Sequence, residues 1–143
     1  MIAAPKSLRQ GFSFVEIVVV ILIMGILAGI AVPATQRWVN KSRVSSTKTT
    51  ISSTQQAIDV YYSEVGKYPE SLMDLVQAPS DPALARRWEG PYIQVAGKED
   101  VPKDGWGHEF YFERTPGGSR PYILYSYGKN GEDSPEEEWI SAW

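Results

Sequence analysis

The sequence contains no cysteine and only one histidine, His108. Without cysteine, the chain can form neither a disulfide framework nor a cysteine-ligated metal site. His108 lies in a predicted strand with Trp106 and Phe110, where a packed or surface histidine is more typical than a catalytic one. No glycine-rich phosphate-binding loop is present either. We therefore predict that the protein is not an enzyme.

The chain also has no excess of basic residues over acidic ones. Its formal net charge is −3 over 143 residues, of which 43% are hydrophobic and 22% are charged. A nucleic-acid partner would require a basic stripe, so the acidic balance argues against one. The composition is that of a folded protein, and the length suits one ordinary domain with an appendage.

A long apolar run lies close to the amino terminus. The 21 residues from Phe12 to Val32 contain a single charged residue, Glu16. As a helix this run would span about 30 Å, the thickness of a bilayer's hydrocarbon core. A cleaved secretory signal peptide and a plain membrane anchor are two alternatives. The run is longer than the ~7–15 apolar residues of a signal peptide, and a helical pattern continues beyond Pro33, which argues against cleavage there.

Glu16 makes this run unusual. A carboxylate in a membrane helix costs a few kcal/mol, so it indicates a function. No lysine or arginine lies within the run. Hydrolysis after Gly11 would create the missing cation, the α-amino group of Phe12. That amine could pair with Glu16 four residues later in the same helix, or with Glu16 of a neighbouring copy.

These residues together resemble the amino-terminal motif of type IV prepilins. The residues that carry the resemblance are Lys6, Arg9, Gly11, Phe12, Glu16 and Pro33. The resemblance implies that a prepilin peptidase cleaves the Gly11–Phe12 bond and methylates the new amino terminus, and that Glu16 and Pro33 serve assembly. It also implies a leader over 1–11, a transmembrane and assembly helix over 12–33, and a periplasmic domain over 34–143.

The segment after Pro33 is predicted to continue the helix over 34–65. Val44, Ile51, Ile58 and Val65 recur every seven residues and form a narrow apolar stripe. Gly66 then provides a C-terminal cap and Pro69 a stop. A dimeric coiled coil is an alternative for this stripe. The Ser/Thr-rich segment 45–54 supplies few of the flanking charges that a coiled coil uses, so we favour packing against a small sheet.

The remainder predicts a short second helix near 70–77, a connector over 78–93 that is mostly surface loop, and a three-stranded sheet within about 106–143. The segment 101–115 is the first predicted strand, 121–128 the second and 139–143 a short third. Residues 115–119 form the hairpin loop between the first two strands. The predicted fold class is α+β, with a long amino-terminal helix packed on a small antiparallel sheet, as in type IV pilins.

An acidic loop, residues 127–139, joins the second and third strands. Five acids and Asn130 lie within nine of its residues. Oxygen ligands at this density suit calcium, which accepts six to eight of them. A solvated acidic loop is the alternative.

The carboxyl-terminal part is similar to the major pseudopilins of type II secretion systems. The segments GKYPESLMDLVQ and DGWG carry this resemblance, although Gly105 stands where the family usually has proline. The family binds calcium in the acidic loop. Carried over to this chain, the resemblance implies ligands from the carbonyls of Tyr127 and Glu132 and from the side chains of Asn130, Glu137 and Glu138.

The resemblance implies a structural subunit that polymerises into a periplasmic pseudopilus for protein export by type II secretion. The implied location is the bacterial inner membrane, with a single membrane pass and the carboxyl-terminal domain in the periplasm. Implied partners are further copies of the chain, minor pseudopilins, the prepilin peptidase and an inner-membrane assembly platform. One alternative is a type IV pilin or competence pseudopilin, acting in adhesion, motility or DNA uptake. Another is a membrane-anchored binding module that forms no filament.

Overall fold

The computed structural model describes residues 11–95 and 100–143, without the side chains of 30–34. Most of the predicted leader and the connector residues 96–99 lie outside the described residues. The chain divides into two compact units, Met1–Val39 and Asn40–Trp143. Each unit is described by itself.

The first helix, α1, runs from Phe14–Val65 over 52 residues and contributes to both units. Its amino-terminal part is apolar on all sides, and Glu16 is the acidic residue of its first turn. Pro33 lies within the helix. The helix ends as predicted, because Gly66 takes a φ of +81° and its N–H donates to the Tyr62 carbonyl at 2.9 Å.

Within the second unit, the predicted stripe of α1 faces the core. Ile51, Ile58 and Val65 are each at most 3% exposed, and Val44 packs against them. Each buried aliphatic side chain of this size contributes about 1.5–3 kcal/mol. Since the stripe is covered inside its own unit, it is not the seam of a coiled coil.

Two short helical turns follow α1. A 3₁₀ helix, Leu72–Leu75, occupies the region of the predicted second helix, and α2 is Pro82–Ala85. Most of the segment predicted as a surface loop is exposed, and the segment is also hydrogen-bonded to the first of these turns. Trp88 Nε1 donates to the Asp74 carbonyl at 2.8 Å, and the Tyr92 N–H donates to the Leu75 carbonyl at 2.8 Å.

The sheet has three antiparallel strands in the order β1–β2–β3: Tyr111–Arg114, Tyr122–Ser126 and Ile140–Ser141. Tyr111 pairs with Tyr125 at one end of the first hairpin and Arg114 with Tyr122 at the other. The first strand begins ten residues later than the predicted start at 101. A tight turn around Gly107, whose φ is +93°, interrupts the extended chain before it.

The core lies between α1 and the inner face of the sheet. Tyr61 of the helix is 1% exposed, and from the sheet Tyr122, Leu124 and Ile140 are 2%, 1% and 8% exposed. The second unit is therefore a long helix packed on a small antiparallel sheet, and this confirms the predicted fold class.

Candidate functional site

The predicted cleavage site lies just before α1. Gly11 and Phe12 are exposed and precede the helix, and Phe12 is 79% exposed. The helical hydrogen-bond pattern begins when the Ile17 N–H donates to the Ser13 carbonyl at 3.3 Å. A peptidase needs an accessible bond outside regular secondary structure, and Gly11 and Phe12 are exposed and lie outside the helix.

Glu16 is exposed in the first turn of α1. A carboxylate is favourable there because the helix amino terminus carries a partial positive charge. Among the described residues, none of the ion pairs involves Glu16. Phe12 lies outside the helix, so its backbone nitrogen and the Glu16 side chain are not neighbours on one helical turn in this structure.

The amino-terminal part of α1 exposes large apolar side chains around its whole circumference. Their exposed fractions lie between 43% for Val18 and 82% for Phe14. The set comprises Phe14, Val15, Ile17, Val18, Val19, Val20, Ile21, Leu22, Ile23, Met24, Ile26 and Leu27. A helix that is apolar on all sides is normally covered by protein or lipid. None of the helical stretches in the described residues combines the length and the hydropathy of a membrane span.

The turn before β1 is organised by Asp104, whose side chain is fully buried. Its Oδ1 accepts from the backbone N–H groups of Trp106 and His108, both at 2.9 Å, and its Oδ2 accepts from Ser126 Oγ at 2.6 Å. Ser126 Oγ in turn accepts from the Gly128 N–H at 2.9 Å. This network ties the turn to the start of the acidic loop, and it satisfies a buried carboxylate with hydrogen bonds.

The acidic loop folds back on itself. Its two 3₁₀ turns are Gly131–Asp133 and Glu136–Glu138. Buried Ser134 lies between them and its Oγ accepts from the Asn130 N–H at 3.0 Å. The two ends meet, because a Cβ added at Gly128 would lie 2.8 Å from the Glu138 carbonyl oxygen. Gly128, with a φ of +85°, permits this close approach.

The predicted calcium ligands share this loop, but their carboxylates do not converge. Asn130, Glu132, Glu137 and Glu138 are all exposed, whereas Tyr127 is half-buried. Within residues 11–95 and 100–143, no three histidine, cysteine, aspartate or glutamate side chains form a group that could hold a metal ion. The donor types fit calcium, since all are oxygens. The closed loop brings the Tyr127 and Glu138 ends together.

An aromatic stack holds the carboxyl-terminal end of the acidic loop. Tyr125 lies between Tyr111 and Trp139, with ring centroids 4.8 Å and 4.7 Å away, and Tyr127 meets Trp139 edge to face. Trp139 Nε1 also donates to the Ser134 carbonyl at 3.1 Å. Burial, followed by a hydrogen bond with Tyr127, raises the pKa of the Tyr125 hydroxyl. The loop is therefore anchored by aromatic packing at its end.

A cationic groove lies at the hairpin end of the sheet and was missed in the sequence. It has a volume of about 540 Å³ and is lined by Tyr62, Lys67, Tyr68, Arg114, residues 115–119 and Pro121. Tyr62 and Tyr68 stack at 4.3 Å along one wall. The groove brings together residues from the end of α1 and from the hairpin, which are about fifty positions apart in the chain. A sequence pattern over neighbouring residues cannot predict a surface built from such distant segments.

Within the unit Asn40–Trp143, a helix packed on a three-stranded antiparallel sheet is the architecture of pilin-like α+β proteins. The family model for type II secretion system protein G matches residues 35–143, and the prokaryotic N-terminal methylation motif matches residues 6–32. The chain belongs to the type II secretion system protein G family. It is a pseudopilin, a member of a structural family.

Individual relatives agree with the family match. The chain is 34% identical to type II secretion system core protein G of Escherichia coli K12 over 140 residues, covering 94% of this chain and 91% of that one. It is 30% identical to the core protein G of Pseudomonas aeruginosa over 141 residues, covering 94% and 95%. The crystal structure of the major pseudopilin of enterohaemorrhagic Escherichia coli shares the fold, with a TM-score of 0.56 and 22% identity over 71% of this chain and 86% of that one. The secretion family is thus favoured over the pilus and competence alternatives.

Proposed function

We propose that this pseudopilin polymerises into a pseudopilus by covering its apolar amino-terminal helix with the same helix of other copies. The observation that carries this proposal is the exposure of apolar side chains all around α1 from Phe14 to Leu27. One isolated copy cannot cover a helix that is apolar on every side, whereas a bundle of parallel copies can. Gly25 and Gly29 form a small-x-x-x-small pair, which allows close approach of such helices.

Before assembly, the apolar segment 12–33 is stored as a single span of the bacterial inner membrane, with the domain from Ala34 onward in the periplasm. The run Phe12–Val32, with one charge in 21 residues, supports this location. The match of residues 6–32 to the methylation motif supports processing at Gly11–Phe12 by a prepilin peptidase. The further partners are minor pseudopilins and an inner-membrane assembly platform.

The role is structural and not enzymatic. The one histidine is used in packing: His108 Nδ1 lies 3.1 Å from the Gly128 carbonyl oxygen, beside the buried Asp104. The exposed glutamates of the acidic loop lie on short 3₁₀ turns. General acid–base chemistry requires carboxyl groups held in fixed relation to a substrate, whereas these side chains are exposed to solvent.

Processing is tested by the mass of the protein extracted from its native membrane. We expect a chain that starts at methylated Phe12, because hydrolysis after Gly11 supplies the amine that Glu16 needs. Gly11→Val should block processing, since a β-branched side chain replaces the smallest residue beside the scissile bond. Gly25→Ala is the matched control, because a Cβ there meets nothing within 4 Å. An extracted chain that retains Met1 to Gly11 would contradict both processing and the Glu16 pairing.

We also propose that the acidic loop binds calcium through Tyr127, Asn130, Glu132, Glu137 and Glu138. Two features of the loop support this: its oxygen-only donors, and ends that meet at Gly128 and Glu138. Bound calcium would offset repulsion among the loop's exposed carboxylates. Because Trp139 already anchors the loop end, the bound ion would stabilise a loop that is folded without it.

Calcium is tested by thermal unfolding of the unit Asn40–Trp143, which has its own core. Saturating calcium should raise the midpoint by about 10–20 °C over a chelator-treated sample, because a ligand at 100-fold its Kd adds about 2.7 kcal/mol and each kcal/mol moves a small domain by ~4–8 °C. The control is Glu137→Gln with Glu138→Gln, which should remove the shift. Equal midpoints for the unaltered unit with calcium and with chelator would reject the site.

A further inference from the structure

The second unit has two surfaces of opposite charge at opposite ends of its sheet. We propose that the acidic loop of one copy docks into the cationic groove of a second copy, so that the globular units of the filament contact one another head to tail. This proposal rests on the proposed function and names the contact between the globular units.

The groove contains two cations, Lys67 and Arg114, which also line a neighbouring pocket with Glu70, Asp74 and Asp81. Lys67 is exposed and takes part in none of the ion pairs among the described residues. Arg114 meets Glu70 at 3.7 Å, but Glu70 is 75% exposed in its side chain. A solvated pair of this kind contributes about 0–1 kcal/mol in general, so Arg114 can exchange its partner at little cost. Tyr62 and Tyr68 give the groove an apolar wall.

The acidic loop offers the complementary charge. The side chains of Glu132, Asp133, Glu136, Glu137 and Glu138 are exposed, and none of them enters an ion pair among the described residues. Pro135, also exposed, sits between the two 3₁₀ turns and suits an aromatic wall. Charge complementarity of this kind fixes register and suppresses wrong partners. Asp133 and Glu136 are not among the proposed calcium ligands, so docking remains possible when an ion is bound.

One copy cannot make this contact with itself. The groove adjoins the Arg114–Tyr122 end of the first hairpin, whereas the loop leaves β2 after Ser126 at the opposite end. Along β2 alone these ends are separated by about 14 Å, at ~3.4 Å per residue. Two different surfaces that meet between copies form a heterologous contact, and such contacts build open polymers where the rotation does not close.

The helix places the two surfaces at different heights along its axis. Near its beginning in the second unit, Thr47 contacts the turn that carries Asp104, because Thr47 Oγ1 accepts from the Gly105 N–H at 2.8 Å. At its end, Val65 is followed by Lys67 in the groove. Thr47 and Val65 are about 27 Å apart at 1.5 Å per residue. A copy displaced along the helix direction by a distance of this order brings its acidic loop to the groove of its neighbour.

Cross-linking in the full-length chain tests the contact, since the natural sequence has no cysteine. Lys67→Cys together with Glu136→Cys should give a ladder of dimers, trimers and larger species with a bismaleimide of about 10 Å reach. A reagent is used because a direct disulfide requires Cα atoms within about 7 Å of each other, and the Cα atoms of a contacting lysine and glutamate are farther apart than that. Each single-cysteine chain should give no ladder. Gln56→Cys with Glu136→Cys is the control, since Gln56 is exposed away from the groove.

Charge reversal provides a second, independent arm. Lys67→Glu with Arg114→Glu should lower the yield of sheared filaments about tenfold, and so should Asp133→Lys with Glu136→Lys, because each leaves like charges facing one another. All four changes together should restore the yield. Unaltered chains that form filaments while every variant assembles equally well would overturn the docking contact alone. Unaltered chains that form no filament would overturn the proposed function. Cross-links to a different protein, without a ladder, would contradict the proposal that a second copy of the chain occupies the groove.

Discussion

Glu16→Ala is expected to leave the chain in the membrane and to abolish filament growth. In lipid, the carboxylate costs about 2.5–3.5 kcal/mol when placed centrally in a helix and less near an end. Its removal therefore favours membrane insertion. In the proposed assembly the same carboxylate would meet the amine of a mature Phe12, and alanine would leave that amine without a partner. A loss of about 3 kcal/mol per contact lowers the association constant by roughly two orders of magnitude, and a polymer accumulates this loss at every step.

The measurement compares membrane fractionation with filament yield for the same variant. Glu16→Gln distinguishes charge from shape, because glutamine keeps the length of glutamate and should assemble as poorly as alanine does. Ser13→Ala is the matched control, since it removes an exposed polar side chain one turn earlier without removing a charge. Filaments of normal yield from Glu16→Ala would show that charge pairing at Glu16 is not required.

The apolar patterns of the sequence predicted the buried helix face and the hairpin correctly, because each pattern depends on a single secondary-structure element. The seven-residue spacing of Ile51, Ile58 and Val65 predicts one buried helix face, and all three side chains are buried. The hairpin was equally visible, because the Pro-Gly-Gly turn lies between two alternating segments. Both the helix face and the hairpin are determined by residues that are close together in the sequence.

The connector over 78–93 is mostly exposed, as predicted, but its tertiary hydrogen bonds were not predicted because their partners are distant in sequence. Trp88 and Tyr92 are fixed to carbonyl groups of the 3₁₀ helix, fourteen or more positions earlier. The cationic groove was missed for the same reason. The first strand was predicted too long, because Gly107 and the Asp104 network form a turn that interrupts the extended chain. Local hydrogen bonds from an aspartate side chain to the backbone two and four residues later favour such a turn over a continued strand.

Gly105 is where the sequence departs from the pseudopilin pattern, and the structure gives a physical reason. The Gly105 N–H donates to Thr47 Oγ1 at 2.8 Å, a bond that proline lacks the hydrogen to make. The turn also lies directly against the helix, because a Cβ at Gly105 would be 2.9 Å from both Cα and C of Arg43 and closer still to its carbonyl oxygen. Proline carries a Cβ at the same position. The turn in this chain is therefore closer to α1 than a proline would permit.

We expect Gly105→Ala to lower the free energy of unfolding of the unit Asn40–Trp143 by about 2–3 kcal/mol. The clash is with helix backbone, which cannot rotate away as a side chain can, so the turn must move outward. That movement breaks the bond to Thr47 and strains the bonds of buried Asp104. For a domain of this size the midpoint should fall by about 10–20 °C, measured by thermal unfolding.

Two controls separate the causes of this loss. Gly117→Ala places a Cβ on a glycine with a φ of +81° and open space around it, so it reports backbone strain alone and should cost about 1 kcal/mol. Thr47→Val removes the hydroxyl that Gly105 donates to, without a steric clash, and should also cost about 1 kcal/mol. Gly105→Pro combines the clash with the lost donor and should be the least stable of the four. A Gly105→Pro chain as stable as the unaltered one would show that the turn can retreat from the helix, and that the glycine is not required by close packing.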